Sequence, residues 1–322
     1  MSKRFLTHQQ KNRILDNQST EKKGREQLLE GQVISHNGYL LTVKTSEDKL
    51  IKCNFRSNIS EIVTGDYVSY SLQKNSKKGI VSTVINRKNL LSRPNKFSHK
   101  IKAIAANINQ IYIVIAVEPE PIEHYIDRYI VAAELMKVKP IIVFNKTDLL
   151  STENKFSFEP LLKIYENIGY EVIQLSAIQT IFSRELKQSL QDKCSIFIGQ
   201  SGVGKSALLN QIIGQETAIT GDISETNKRG KHTTTTSRLY EIEKNTSIID
   251  SPGIREFDLW DISEQELLSG FTEISRYAIS CKFRNCRHTE QEQKCAVIEA
   301  ANEGKISQVR LKNFYRVRED IK

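Results

Sequence analysis

The stretch Gly199-Gln200-Ser201-Gly202-Val203-Gly204-Lys205-Ser206 decides how this chain folds. It fits the pattern G-x-x-x-x-G-K-[ST], and it lies where that pattern has physical meaning. An apolar, strand-like run over 195–198 precedes it, and residues 205–213 continue with helical spacing. The glycines let backbone amides turn inward, and the positive end of the following helix favours an anion there. The loop therefore reads as a phosphate cradle. Lys205 is expected to reach the β- and γ-phosphates and the Ser206 hydroxyl to ligate Mg²⁺, with Ala207 closing the contact set.

Two more segments belong to the same chemistry. Asp250-Ser251-Pro252-Gly253 ends a short apolar run over 247–249, so Asp250 is expected to hold Mg²⁺ and the Gly253 amide to sense a γ-phosphate. Alone, D-x-P-G is a common turn; beside a phosphate loop it reads as part of the site. Asn145-Lys146-Thr147-Asp148 follows the apolar run 140–144. A carboxylate at Asp148 can accept two N–H groups from a guanine edge, an arrangement adenine does not offer. Asn145 is expected to contact the base edge and brace neighbouring loops, and the Lys146 stem to lie along the base plane. Ser176-Ala177, ending the next strand over 171–175, can present a backbone amide to the guanine carbonyl. This pair argues against a P-loop kinase or ATPase.

The order of the segments is informative. The guanine-reading element at 145–148 comes before the phosphate loop at 199–206, the reverse of the arrangement in most GTPases. A parallel α/β sheet keeps one spatial site if its ends are joined and a new break is opened elsewhere. The rotation leads the switch-like segments directly into the C-terminal part of the chain, so movement there is expected to pass on with no intervening sheet.

Around this centre the hydropathy rhythm changes. Residues 1–30 are polar, mixed in charge and without a secretory apolar core; they read as a mobile basic arm of a cytoplasmic protein. Short alternating runs at 31–35, 39–44, 49–55, 66–73 and 79–86 give a small barrel over 31–92. An OB-fold is the natural candidate, although periodicity leaves an SH3-like barrel open. From 93 to 262 the rhythm is β–α, with helices expected over 122–136, 158–168 and 182–191 between buried parallel strands. Residues 263–322 are helical again around a Cys/His cluster. No apolar run is long enough to span a bilayer.

The net charge of +9 is concentrated: no Asp or Glu occurs over 67–117, where nine cations lie, Arg93, Lys96 and Lys100 among them. That stripe is the footprint of a polyanion binder. Cys281-x4-Cys286-x-His288-x6-Cys295 places three thiolates and an imidazole within 15 residues, the donor set of a tetrahedral structural zinc site. Such spacing in a reducing compartment makes disulfides unattractive. Cys53 and Cys194 lie in strand-like runs and read as core residues.

Taken together, these segments resemble the RsgA (YjeQ) family of circularly permuted bacterial GTPases that depend on the small ribosomal subunit. The resemblance covers 31–322 and includes Gly230-Lys231-His232-Thr233-Thr234-Thr235 and Ala105-Ala106-Asn107. It implies an OB-fold, a permuted GTPase domain and a zinc domain, a monomer with no membrane partner, and GTP hydrolysis stimulated by the small subunit and its rRNA during late maturation. It also implies one structural Zn²⁺, and Mg²⁺ with GTP. The six-residue gap between His288 and Cys295 is one longer than usual in the family, which predicts a slightly enlarged metal loop. Ile254 follows D-S-P-G where many GTPases carry a water-orienting Gln, so the isolated site is expected to be slow. The resemblance offers His232 as the catalytic residue, against a solvent-facing loop histidine, and Thr233 or Thr234 as a further Mg²⁺ ligand. A rival reading is an RNA-binding protein that holds GTP as a structural ligand with little turnover.

Overall fold

The structure is a computed structural model describing residues 28–57, 59, 61–73, 76–94, 101–176, 184–220, 237–251 and 262–321. The arm expected over 1–30 falls, through residue 27, outside them.

Five strands form the N-terminal barrel: β1 (Leu29–Asn37), β2 (Leu40–Thr45), β3 (Leu50–Phe55), β4 (Tyr67–Leu72) and β5 (Lys78–Val84). β1 pairs antiparallel with both β2 and β4, β2 with β3, and β5 runs parallel to β3 and antiparallel to β4. The ring closes in the order β1-β2-β3-β5-β4, and the parallel β3–β5 pair selects the OB arrangement left open by periodicity. Alternation puts Val33, Leu41, Val43, Cys53, Val68, Tyr70 and Val81 inside. Gly38, at a positive φ of 59°, makes the tight turn between β1 and β2.

The basic segment after the barrel is a ribbon where the sequence suggested only a linker. β6 (Leu90–Pro94) pairs antiparallel with β7 (Ile101–Ala106). Leu91, Ala105 and Ala106 are buried beneath it, which is why a cation-rich stretch still takes strand form.

An open sheet follows: β8 (Gln110–Ala116), β9 (Lys139–Asn145), β10 (Glu171–Gln174), β11 (Cys194–Ile198), β12 (Ser237–Glu243) and β13 (Thr246–Asp250). Its order is β10-β9-β8-β11-β13-β12, parallel except for β12. Helices α1 (Glu123–Leu135), α2 (Thr152–Ile168), α3 (Arg184–Leu190) and α4 (Lys205–Thr220) supply the crossovers. β8 is buried along its whole length because both of its faces are covered. Ile111, Ile113 and Ile115 share a core with Ile126 and Ile130 of α1. Tyr112 and Val114 join Leu186 of α3 and Leu208 and Ile212 of α4.

β12 also pairs antiparallel with β1, through Ser35↔Arg238 and His36↔Ser237. Barrel and open sheet are thereby one continuous eleven-stranded sheet. At the far end lie α5 (Glu264–Gly270), α6 (Thr272–Ala278), α7 (Ala296–Asn302) and α8 (Gln308–Asp320); α5 and α8 pack back onto α1, and α6 packs against α5 and α7. A Ser263/Glu266 capping box starts α5. Leu267, Phe271, Phe314 and Val317 then extend the apolar core that Ile126 and Ile130 begin. Among the described residues, no helix is long and apolar enough to cross a membrane.

Candidate functional site

The site lies where strands β8, β9 and β11 end. Gly199 follows β11 directly at φ 141°, and a Cβ there would sit 2.1 Å from the Val114 carbonyl oxygen. Only glycine lets the loop leave the strand so close to β8. Gly202 and Gly204 also take positive φ, 85° and 95°, and a Cβ on Gly204 would meet the Asn145 amide nitrogen at 2.3 Å. The chain then enters α4 at Lys205, so the loop lies at the positive end of that helix, where an anion is favoured. The Lys205 ammonium donates to the Gly199 carbonyl at 2.6 Å and to the Gln200 carbonyl, so it lies over the loop it is expected to serve. Ser206 and Ala207 are exposed at the start of α4, while Val203 anchors the loop in the core.

The 145–148 segment is built against this loop. Asn145, fully buried at the end of β9, donates its side-chain N–H to the Val203 carbonyl at 2.9 Å. Lys146 adopts φ 61° and starts the short 3-10 helix Thr147–Leu149. Its ammonium donates to the Glu118 carbonyl at 2.6 Å. The Thr147 amide donates to the Leu175 carbonyl at 3.2 Å, tying this turn to the end of the next strand. There the buried Ser176 hydroxyl donates to a carboxylate oxygen of Asp148. The carboxylate is thus oriented by a neighbour on the adjacent strand end, an arrangement suited to reading two N–H donors of a planar base. A further brace, absent from the motif reading, is the Gln200 side chain, which accepts from the Ile122 amide at 3.2 Å.

Asp250 ends β13, and Ser251 is buried next to it. Gly253, expected at the γ-phosphate, His232, expected in catalysis, and Thr233 and Thr234, of which one is expected to ligate Mg²⁺, lie outside the described residues, as do Ala177 and Ile254. A hard cation takes oxygen ligands. Ser206 and Asp250 are the described residues that could offer them to Mg²⁺.

The C-terminal Cys/His cluster is assembled as its spacing suggests. One ligand atom from each of Cys281, Cys286, His288 and Cys295 lies within 4.8 Å of every other. Cys281 Sγ is 3.5 Å from His288 Nδ1 and 3.9 Å from Cys295 Sγ, and Cys295 Sγ is 3.6 Å from His288 Nδ1. Burial pushes the Cys295 thiol up to about 12, and burial together with Arg318 holds the His288 imidazole below its usual range. Three thiols and an imidazole so placed suit a cluster that could hold a metal ion such as zinc. The six residues between His288 and Cys295 form a turn in which the Glu292 amide donates to the Thr289 carbonyl at 3.0 Å, so the longer gap keeps its ligand.

One buried cluster had no sequence signal. Arg310 of α8, with no exposed side-chain surface, donates to Asp127 of α1 and, through Nε at 2.7 Å, to Glu273 of α6. Tyr165 of α2 donates to the same Asp127 oxygen at 2.8 Å, and the guanidinium lies 4.4 Å from the Phe271 ring centre. Burial alone would pull Arg310 down, but the Asp127 and Glu273 carboxylates outweigh it and hold the cation above its usual range. Helices α1 and α2 of the open-sheet region and α6 and α8 of the C-terminal region are thus joined through one buried charge.

Comparison with known proteins agrees with this geometry. The family model described as RsgA GTPase matches residues 84–260. A protein from Hahella chejuensis named small ribosomal subunit biogenesis GTPase RsgA is 40% identical, with 100% of this chain and 97% of the relative covered. One of the same name from Haemophilus influenzae is 39% identical, covering 100% and 96%. Among solved structures, YjeQ from Thermotoga maritima superposes with a TM-score of 0.74 at 30% identity, covering 91% of this chain and 98% of that one. YloQ, described as a circularly permuted GTPase, gives 0.72 at 28% identity, covering 93% and 97%. The rotated order of the two elements, folded here into a single strand-end site, agrees with the description of YloQ as circularly permuted, and with these matches the chain belongs to the RsgA GTPase family.

Proposed function

We propose that this protein binds GTP and hydrolyses it to GDP and phosphate on the small ribosomal subunit, during that subunit's late maturation, with the subunit stimulating turnover. The observation carrying the reading is the Asn145–Val203 hydrogen bond, which joins a guanine-type turn to a phosphate loop that follows it in sequence. The names of the two relatives support the ribosomal setting.

In this reading Asp148 selects guanine, with Asn145, Lys146, Thr147, Ser176 and Ala177 around the base. The loop 199–206 and Ala207 hold the phosphates, with Lys205 on the β- and γ-groups. Mg²⁺ is held by Ser206, Asp250 and one of Thr233 or Thr234, and Gly253 meets the γ-phosphate. Bound Mg²⁺ supplies neutralisation of charge on the phosphates. Ile254 offers no group to orient water, so His232 takes that role when the subunit stimulates turnover. The cluster at Cys281, Cys286, His288 and Cys295 holds one structural zinc. The cationic stripe and the barrel engage rRNA, largely through phosphates. The working division of the chain is an arm over 1–30, a barrel over 31–92, a GTPase region over 93–262 and a metal-binding helical region over 263–322, acting as a cytoplasmic monomer.

Multiple-turnover GTP hydrolysis with and without purified small subunits tests the proposal, with large subunits as control. A stimulation of at least tenfold by small subunits alone is expected. Tight GTP binding with no turnover in either condition would instead favour GTP as a structural ligand of an RNA-binding protein.

A further inference from the structure

We propose that Thr64, Ser237 and Ser251 form a positioning unit through which the barrel sets the geometry at Asp250; this rests on the GTPase reading above. Thr64 lies in the corner between the third and fourth barrel strands and has no exposed surface. Its hydroxyl donates to the Ser237 carbonyl at 3.3 Å, and the Ser237 hydroxyl donates to Ser251 Oγ at 2.6 Å. Ser251 is buried and follows Asp250, whose Cα partner on β12 is Arg238. A polar chain of three residues therefore runs from the barrel to the neighbour of the expected Mg²⁺ ligand.

The corner carrying Thr64 is rigidly built. Its carbonyl accepts from the Ala106 amide at 3.1 Å, and the Gly65 carbonyl accepts from the Asn107 side chain at 2.9 Å. Gly65 takes φ 94°, and a Cβ there would lie 2.2 Å from the Ala106 carbonyl oxygen and 3.2 Å from Ile249 Cδ1. Ile249 is the residue before Asp250, so the barrel corner packs directly under the end of β13. Asp66 finishes the corner, accepting from Arg87 Nε at 2.7 Å, from Arg87 Nη2 at 2.9 Å and from the Val63 amide at 2.8 Å. A shift of the barrel cannot be absorbed within such a corner. It must appear at Ser237 and Ser251. A β-branched residue with restricted rotamers is a suitable end for this chain.

A positioning unit and a merely structural contact give different kinetics. Losing a structural contact lowers melting temperature and all rates together. Losing a positioning contact lowers turnover in the stimulated state while leaving nucleotide affinity alone. Thr64→Val keeps the shape and removes the donor. We expect it to lower subunit-stimulated kcat about tenfold, with KM for GTP and the unstimulated rate within twofold of wild type. Thr64→Ser restores stimulation to within twofold. Ser251→Ala, which breaks the other end, gives a loss like that of Thr64→Val, and the double variant loses no more than the worse single variant. Stimulation of Thr64→Val at the wild-type level overturns the inference, as does a double variant whose loss is the product of the two singles. If Thr64→Val does not fold, Ser251→Ala carries the test, and wild-type stimulation in it overturns the unit. A wild-type protein that small subunits fail to stimulate overturns the functional reading itself, which a failure confined to the variants does not.

Discussion

Asn145 and Val203 are 58 positions apart, yet the Asn145 amide group donates to the Val203 carbonyl at 2.9 Å in a buried setting. The bond fixes the distance between the proposed base-reading turn and the proposed phosphate loop, which follow the ends of the parallel strands β9 and β11. Asn145→Ala leaves a buried carbonyl without this donor, a loss on the order of 1–3 kcal/mol. GTP affinity should fall about tenfold or more, because a misplaced loop weakens base and phosphate contacts together. Titration with a fluorescent GTP analogue checks it; an unchanged Kd means that the bond is incidental to the site.

Asp148 is the residue proposed to select the base. Its carboxylate accepts from the Ser176 hydroxyl on the neighbouring strand end, which orients it ahead of ligand binding. Asp148→Asn exchanges an acceptor for a donor, so the variant should bind GTP at least tenfold more weakly and xanthosine triphosphate more tightly. Competition between the two nucleotides reads this directly. Retained preference for GTP would assign base recognition to another loop.

Asn145 and Asp148 are legible in the sequence because their signals are local. Four or eight consecutive positions between an apolar run and a helical one are enough to identify a strand-end loop, and the Cys/His spacing is equally compact. Contacts set by distant parts of the chain leave no such mark. The β1–β12 pairing that makes one sheet of barrel and GTPase strands has no composition cue at Ser35 or Arg238. Nothing in Thr64-Gly65-Asp66 marks its contacts with Ile249 and Ser237 near the end of β13. The ribbon β6–β7 is hidden by its cations, although Leu91, Ile104 and the alanines Ala103, Ala105 and Ala106 are buried. Arg310 is the clearest case. One arginine of three in a basic, polar helix reads as surface, and its partners Asp127 and Glu273 lie 183 and 37 positions away.

Arg310 yields a stability prediction. It neutralises two buried carboxylates, so Arg310→Ala leaves uncompensated charge in the core and should cost about 3–5 kcal/mol. Arg310→Met with Asp127→Asn and Glu273→Gln should recover much of that loss, because the charges leave together. Thermal or denaturant unfolding of the two variants makes the comparison. Equal destabilisation by the single and triple changes would show that packing, and not charge, holds α1 against α6 and α8.

The metal cluster gives the last prediction. With Zn–S near 2.3 Å and Zn–N near 2.0–2.1 Å, a tetrahedral site places sulfurs about 3.8 Å apart and a sulfur about 3.5–3.6 Å from a ring nitrogen. The distances found, 3.9 Å between Cys281 and Cys295 Sγ and 3.5 and 3.6 Å from them to His288 Nδ1, match those edges. The loop is also fastened to α8: Tyr315 donates its hydroxyl proton to the His288 carbonyl, and Arg318 donates to the Arg287 carbonyl at 2.7 Å. Metal loss should therefore loosen α8 as well as the loop. Structural zinc in small peptides contributes about 10–16 kcal/mol of apparent binding energy, much of it appearing as folding. One zinc per chain is expected by elemental analysis of protein purified without a metal-affinity tag. Cys281→Ala, or treatment with a strong chelator, should remove it and speed hydrogen exchange in 296–320 while leaving the barrel strands protected. Protein that is folded, protected in α8 and free of stoichiometric zinc would exclude a structural metal here.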